Sequence, residues 1–282
     1  MIYPLFSEIS QIVKVPSFVY FFSQFFSLAQ FLISGLWSNS DHFWDQDPKG
    51  KSAIRIFQCF IDLGLHGISS NLITYDILII LFVIMIGWHV FIIVYYYYFH
   101  QYSKLMLYIT QILQMFVLPP IIPFYASHAG NSFSELAAES MSQTGVSARS
   151  AVLFVFFALA TIILFVLFVI CFSFLCLSPI LSQILDASWD PKPIIFMLSL
   201  TCYSCFFGPV LDHFAKWVNM IFILASVALT VYTILILKDF PFHQFWINPA
   251  FAGLAVGHIF FELLLIPSCF SHEIPSTIYL VI

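Results

Sequence analysis

Charged side chains are scarce in this sequence. Of its 282 residues, nine are Lys or Arg and 14 are Asp or Glu, so 8% are charged. A soluble globular domain has about 25% charged residues, whereas 61% of this chain is hydrophobic. Because such a composition cannot cover a surface in contact with water, lipid must be the solvent for most of the chain.

The basic residues and cysteines indicate neither a nucleic-acid-binding protein nor a disulfide-stabilised one. The Lys and Arg residues are scattered singly and the net charge is −5, so no basic surface follows a nucleic acid backbone. Most of the six cysteines lie in apolar runs, where a thiol packs as a small hydrophobic group. Cys202 and Cys205 form a CxxC inside such a run, which favours packing over redox chemistry. We therefore expect neither a nucleic acid partner nor a disulfide framework.

Motifs of soluble enzymes are also missing. The sequence has no GxxxxGK[ST], HExxH or GxSxG, and no pair of CxxC motifs with zinc spacing. We therefore predict no catalytic residue, no cofactor and no metal ligand set, and expect a protein that is not an enzyme.

Long uncharged runs dominate what is present. Thirty-six residues between Arg149 and Asp186 contain no Asp, Glu, Lys, Arg or His, which is more than the ~20 apolar residues that a helix needs to cross a bilayer. Similar runs predict an all-α, polytopic transmembrane helix bundle that forms one domain over residues 1–282. Residues 53–70 are apolar but carry Arg55, Asp62 and His66, so they predict an interfacial helix or a short eighth span. The seven predicted spans are 17–37, 76–99, 105–125, 151–177, 194–211, 217–237 and 250–267.

The connections between spans are polar or rich in proline. Residues 41–51, DHFWDQDPKGK, form the most polar stretch and must lie in water. Pro119, Pro120 and Pro123 should kink or end the span at 105–125. Residues 127–150 are small and polar, which predicts an exposed loop or a surface helix. Trp37, which closes the first span, is expected at the depth of the membrane interface.

Basic residues do not decide the orientation of the chain. With seven spans, four Lys or Arg lie on the amino-terminal side and five on the other. If residues 53–70 cross as well, the split becomes three against six, which favours an amino terminus outside the cell. The sequence carries no retrieval or lipidation signal, so the plasma membrane is the default location.

Two pairs of a histidine and a carboxylic acid are the main candidates for function. His258 and Glu262 lie four residues apart in the last span, and Asp62 and His66 repeat this spacing in the early element. Each pair shares one helix face. If the pairs converge, they could form a proton relay or a divalent-metal site. The alternative is two separate, locally satisfied pairs that hold helices together.

Three further residues are candidates at the membrane surface. Asp212 and His213 follow Gly208 and Pro209 at an expected helix end, where a cap or turn explains them equally well. His128 follows the proline-rich span and could contact a ligand at the membrane mouth, or could simply belong to an exposed loop.

Several segments resemble a known family. These are SGLWS, LPPIIPFYASHAGNSFSEL at 118–136, SPILSQILDASW at 178–189 and FGPVLDHFAKWVN at 207–219. They are similar to the amino-terminal multi-pass region of receptor-type adenylate and guanylate cyclases of flagellate protists, over most of the chain. In that family PAS-like and cyclase domains follow in the cytosol, and two Asp residues there bind the catalytic metals. None of those residues has a counterpart here.

The resemblance implies a sensing, anchoring or dimerising module without an output domain. We expect it to act through the lipid bilayer and through self-association or a signalling partner. A transporter or channel is the alternative, with Asp62, His66, His258 and Glu262 along the path and the segments near Pro119–Pro123 and Gly208–Pro209 as gates.

Overall fold

Every element in the computed structural model is helical over the residues that it describes. These are residues 17–37, 72–141, 147–176, 191–239 and 246–269, with 54, 56, 57 and 61. The predicted all-helical class is confirmed for this part of the chain. The described helices are α1 (Ser17–Ser34), α2 (Leu72–Phe99), α3 (Lys104–Ile112), α4 (Leu118–Met141), α5 (Ala148–Cys176), α6 (Lys192–Leu211), α7 (Lys216–Leu237) and α8 (Ile247–Leu265).

Five of these helices are long and apolar enough to cross a membrane. Their apolar segments are Tyr75–Phe99, Ala148–Cys171, Lys192–Leu211, Trp217–Leu237 and Ile247–Leu265, and each overlaps a predicted span. The predicted spans at 17–37 and 105–125 do not contain a helix that is both long and apolar enough, although α1 contains a shorter apolar segment, Phe25–Ser34. The loop at 41–51 lies outside the described residues, as does most of the element at 53–70.

Of the two predicted effects of the prolines, a kink or an end of the helix, the end is wrong, because the helix continues through an irregular turn. A π-helical turn, Leu113–Val117, joins α3 to α4, so the chain is helical from Lys104 to Met141. In this turn the N–H of Leu118 bonds to the carbonyl of Leu113, five residues back. Because a π turn widens the helix, it relieves the clash that Pro119 and Pro120 would cause with the carbonyls four residues before them.

Of the two alternatives predicted for 127–150, an exposed loop or a surface helix, the loop is wrong for residues 127–141, which are helical; residues 135, 138, 140 and 141 are exposed, as a surface helix requires. Residues up to Met141 belong to α4, and ten consecutive residues, 121–130, are buried. Helices α5 and α6 pack against α4 along its length, and α1 contacts it as well. The small residues 127–130 lie at helix contacts, and Gly130 lets the backbone of Phe206 approach closely. Helix α4 is therefore the central helix of the described bundle.

The outer helices present apolar surfaces. Only 22% of the apolar window is buried in α2, and the same is true of α5. Their exposed side chains include Ile80, Val83 and Ile162, each more than half exposed. Apolar residues in such numbers on an outer surface are consistent with contact with lipid tails, in keeping with a multi-pass membrane bundle.

Trp37 is buried in the bundle, while its predicted depth at the membrane interface stays a prediction. Its exposed fraction is 0%, and its ring lies edge-on to that of Tyr203, with centroids 6.2 Å apart. Its backbone φ is 47°, a left-handed conformation that costs a bulky residue free energy. Burial of the large indole ring offsets this cost, since a fully buried aromatic side chain stabilises a fold by a few kcal/mol.

Candidate functional site

The interior face of α8 carries the histidine–glutamate pair found in the sequence. Its buried residues recur every three or four positions: Asn248, Phe251, Ala255, His258, Glu262 and Leu265. This spacing forms one continuous stripe on a helix. His258 and Glu262 lie in the carboxy-terminal half of that stripe, and both are 0% exposed.

His258 is held by the last turns of α1. Its Nδ1 lies 2.8 Å from the carbonyl oxygen of Phe31, and the two rings stack with centroids 4.5 Å apart and an interplanar angle of 4°. The same carbonyl also accepts a hydrogen bond from the Ser34 hydroxyl at 2.7 Å. Gly35 lies over the imidazole, because a Cβ at that position would come within 2.9 Å of Nδ1. The imidazole thus has one fixed orientation at the contact of α1 and α8.

Glu262 has few partners for a buried acid. Its Oε1 lies 3.2 Å from Nε2 of His258, but the contact lacks hydrogen-bond alignment, and neither carboxyl oxygen has a hydrogen-bond partner in the described bundle. A charged side chain costs on the order of 3 kcal/mol at the centre of a membrane helix, and Glu262, although in the last turn of α8, is also fully removed from solvent. Such a residue normally faces a partner or water inside a bundle, and here it faces His258.

The contact with Phe31 restricts the protonation of the pair. A carbonyl only accepts, so Nδ1 of His258 carries the hydrogen of that bond. If Nε2 is also protonated, the pair is an imidazolium and a carboxylate. If Nε2 is bare, it can accept a hydrogen from a protonated Glu262. The two arrangements differ in the position of one proton and contain the same number of protons.

Further buried polar atoms without partners lie on α6 and α7 and at the end of α1. They are the Trp37 indole nitrogen, the Ser204 and Ser226 hydroxyls and both amide atoms of Asn219. Trp37 belongs to a cluster of buried side chains that also contains Leu211, Ile223 and Leu265. Ser204, Asn219, Ser226 and Glu262 lie three, four or seven residues from members of that cluster along their own helices. Unpartnered polar atoms from the end of α1 and from α6, α7 and α8 therefore lie near this one buried cluster, and we refer to them as the polar region.

Tyr203 connects the pair to the aromatic side of this region. Its hydroxyl donates to the carbonyl of Phe222 at 3.1 Å, and the Glu262 carboxylate is close enough to act on it electrostatically. Its ring is 4.8 Å from that of Phe207. Tyr203 thus already uses its proton and does not neutralise Glu262.

The second predicted pair, Asp62 and His66, lies outside the described residues. Convergence of the two pairs therefore stays a prediction. Within the described ranges, no group of three or more His, Cys, Asp or Glu side chains could hold a metal ion.

The remaining candidate residues have contacts of their own. His128 is buried in α4, at 3% exposure, and its ring contacts those of Tyr75, Phe124 and Phe157. His213 follows α6, where its Nε2 is 2.6 Å from the Ser134 hydroxyl of α4, and Asp212 beside it is half-buried. Residues 212–214 form a turn, which agrees with the interpretation of Asp212 and His213 as part of a cap or turn.

A second polar network, which sequence patterns do not reveal, joins α2 to the π turn. Nδ1 of His89 lies 2.7 Å from the carbonyl of Met85, so its Nε2 accepts from the Gln114 amide, 3.3 Å away. The same amide nitrogen is 3.3 Å from Sγ of Cys171 on α5. This network connects three helices, and both His89 nitrogens and the Gln114 amide nitrogen have partners in it, whereas the Gln114 side-chain oxygen has none.

Comparison with known proteins gives no relative. No protein-family model, curated protein or solved structure matches the chain significantly.

Proposed function

We propose that the chain is a seven-span integral membrane protein that serves as a sensor or anchor module and has no catalytic role of its own. The observation that carries this proposal is the contact of α1 with α8, in which the Phe31 carbonyl binds His258. This contact ties a helix near the start of the chain to one near its end, around a buried acid. A change in the packing of either helix would alter the surroundings of that acid, as a module that responds to its environment requires.

Seven spans follow from adding two elements to the five long apolar helices. Helix α1 has 18 residues and would measure about 27 Å at 1.5 Å per residue, close to the ~30 Å of a hydrocarbon core. The continuous helix from Lys104 to Met141 is longer than one span, and its central part is covered by other helices. Burial by neighbours explains how a helix with modest hydropathy can lie at membrane depth.

The exposed apolar sides of α2 and α5 support the expected partners. Lipid tails would cover these surfaces in a monomer, and a second copy or a signalling partner could cover part of them. The resemblance to receptor-type cyclases implies a module that precedes a cytosolic output domain, and we infer the plasma membrane as its location.

The proposal is tested by isolating the native protein with an antibody to residues 41–51. Cyclase activity in the isolated material, in the same polypeptide or in a tightly bound partner, is the expected result. The size of the product then shows which case holds, because this sequence alone accounts for 32.3 kDa. Intact protein isolated without any cyclase activity would refute the link to that family.

Transport of a small ion is the second candidate, and the polar region around Glu262 favours it. Buried polar atoms on α6, α7 and α8 lack partners, as they would along a path that fills with water. Flux of protons and alkali cations into proteoliposomes measures this activity. Glu262→Gln should abolish the flux, whereas Glu135→Gln, at an exposed position of α4, should not. Equal flux with the wild-type protein and Glu262→Gln would exclude this candidate.

A further inference from the structure

We propose that His89, Gln114 and Cys171 form a binding site for one monovalent copper ion, Cu(I), between α2, the π turn and α5. The site goes beyond the proposed function and stands without it, because it uses residues and helices other than the contact of α1 with α8. Three observations carry it: the convergence of two metal-binding atoms, the orientation of the imidazole and an unpartnered amide oxygen.

Two atoms that commonly bind copper or zinc converge on one point. Nε2 of His89 and Sγ of Cys171 each lie 3.3 Å from the amide nitrogen of Gln114. An amide nitrogen carries two hydrogens with partial positive charge, so it occupies the place between the two lone pairs where a cation would bind. Imidazole nitrogen is a frequent ligand of copper and zinc, and cysteine sulfur selects soft ions such as Cu(I).

The imidazole of His89 is oriented as that of a metal ligand. Its Nδ1 lies 2.7 Å from the carbonyl oxygen of Met85, and because a carbonyl only accepts, Nδ1 carries the hydrogen. A histidine that binds a metal almost always donates its other ring N–H to a carbonyl or a carboxylate, which fixes the ring and its tautomer. The preceding residue, Trp88, donates to the Thr110 hydroxyl at 3.1 Å, so α2 is also held against α3 directly beside the site.

Gln114 can make one more interaction than the network uses. Its side chain is 2% exposed, and its Oε1 is buried without a hydrogen-bond partner in the described bundle. An unpaired buried acceptor destabilises a fold, and an apolar side chain of similar size would avoid that loss. A half turn of the amide about its last bond exchanges Nε2 and Oε1, so that the oxygen faces His89 and Cys171. A bound ion then gives this oxygen the partner that it lacks.

The depth of the site favours Cu(I) over zinc. His89 lies ten residues before Phe99, and Gln114 lies ten residues after Lys104, which is about 15 Å along each helix. Cu(I) and one thiolate together have no net charge, whereas Zn²⁺ with the same ligands keeps one positive charge, which apolar surroundings strongly disfavour. Zinc also takes four ligands in most structural sites, and this set provides three.

Binding needs no oxidant or reductant. The S–H bond of Cys171 breaks and its proton leaves to solvent, as metal binding to a thiol requires. Sulfur and Nε2 of His89 then each donate an electron pair to the ion, and Oε1 of Gln114 is the third and weaker ligand. Copper enters as Cu(I) and stays Cu(I). The described residues contain no group of three or more His, Cys, Asp or Glu that could hold a metal, and this site does not require one, because its third ligand is an amide.

The test measures the affinity of the full chain for Cu(I) in nanodiscs of uncharged lipid, in competition with a chromogenic chelator. Oxygen is excluded, and ascorbate keeps the supplied copper reduced. Cys171→Ser is the main variant, since its hydroxyl can still accept from the Gln114 amide but binds Cu(I) poorly. Its affinity should fall more than about 100-fold, because even changes next to metal ligands cost about 10–100-fold. His89→Gln should show a similar loss.

Cys269→Ser is the matched control. Cys269 is also fully buried, but its thiol contacts the carbonyl of Leu265 at the end of α8. This variant should bind Cu(I) as tightly as the wild-type protein. The proposal is overturned if Cys171→Ser keeps the wild-type affinity, or if Cys171→Ser and Cys269→Ser lose affinity equally.

X-ray absorption at the copper edge needs no variant. With one equivalent of Cu(I), the wild-type protein should show one sulfur atom and one imidazole nitrogen as neighbours of copper. Two sulfur neighbours would place the ion on a pair of cysteines, such as Cys202 and Cys205, and would overturn the assignment. If Zn²⁺ binds more tightly than Cu(I), and Cys171→Ser removes this binding, the assignment to monovalent copper is wrong.

Discussion

Gly130 of α4 and Phe206 of α6 meet backbone to backbone. A Cβ at Gly130 would overlap the carbonyl oxygen of Phe206 and would lie 3.0 Å from its carbonyl carbon. Both helices are rigid elements there, so neither backbone can move without breaking its own hydrogen bonds. Glycine is required at this point by close approach, and the crossing fixes how the central helix sits against α6.

Gly130→Ala should therefore destabilise the bundle. Overpacking against a backbone typically costs about 1–3 kcal/mol, and the upper end is expected because the clash involves no flexible side chain. Thermal unfolding in detergent or nanodiscs measures the change. Gly87→Ala is the matched control: Gly87 lies on the exposed side of α2, and its Cβ would meet no atom within 4 Å. That variant should be neutral or gain up to about 1 kcal/mol from helix propensity, and a loss equal to that of Gly130→Ala would contradict the assigned crossing.

The sequence predicts the outer helices of this fold better than its centre. Helices α2, α5, α7 and α8, and the more deeply buried α6, are found where long uncharged runs indicated them. A helix that faces lipid needs a long continuous stretch of apolar side chains, and such a stretch is visible in the sequence. Helix α4 is covered by protein, so its composition is determined by close packing against other helices. Segments such as SHAGNS then have the composition of a loop although they lie inside the bundle.

The candidate site shows the same division. The i, i+4 spacing of His258 and Glu262 predicts that they share a face, since this depends only on helix geometry. The contact of His258 with Phe31 joins positions 227 residues apart, and a local sequence pattern cannot predict a contact over that separation. The burial of Trp37 was missed for the same reason, because its neighbour Tyr203 comes from another helix.

Gly35→Ala should disturb the pair without touching its charges. The new methyl group would lie 2.9 Å from Nδ1 of His258 and 3.0 Å from its carbonyl oxygen, so the ring must shift away from the Phe31 carbonyl. We expect a loss of about 1–3 kcal/mol, measured as a lower unfolding temperature. Gly253→Ala, at an exposed position of α8 with open space around it, should show no such loss. A Gly35→Ala protein as stable as the wild type would show that α1 does not pack on His258.

Tyr125→Phe should remove one buried hydrogen bond and little else. The Tyr125 hydroxyl donates to the carbonyl of Leu78 on α2, and the side chain is fully buried. Phenylalanine keeps the ring packed, so the expected loss is about 1 kcal/mol. Tyr98→Phe is the control, because Tyr98 is 71% exposed and should tolerate the change. If both variants unfold at the wild-type temperature, α2 is not bonded to α4 in this way.

Glu139→Ala should loosen the start of α5. Oε2 of Glu139 accepts from the backbone N–H of Ser147 at 2.8 Å, and Oε1 accepts from the Ser150 hydroxyl at 3.1 Å. The carboxylate thus binds a free N–H just before the first residue of α5, where the helix dipole also favours negative charge. Losing these contacts should cost about 1–2 kcal/mol, and amide hydrogen exchange at residues 147–151 should become faster. Glu135→Ala removes an exposed carboxylate from the same helix and should leave that exchange unchanged. Faster exchange in both variants would mean that α5 responds to the net charge of α4, and the specific bonds of Glu139 would then not be what holds its first turn.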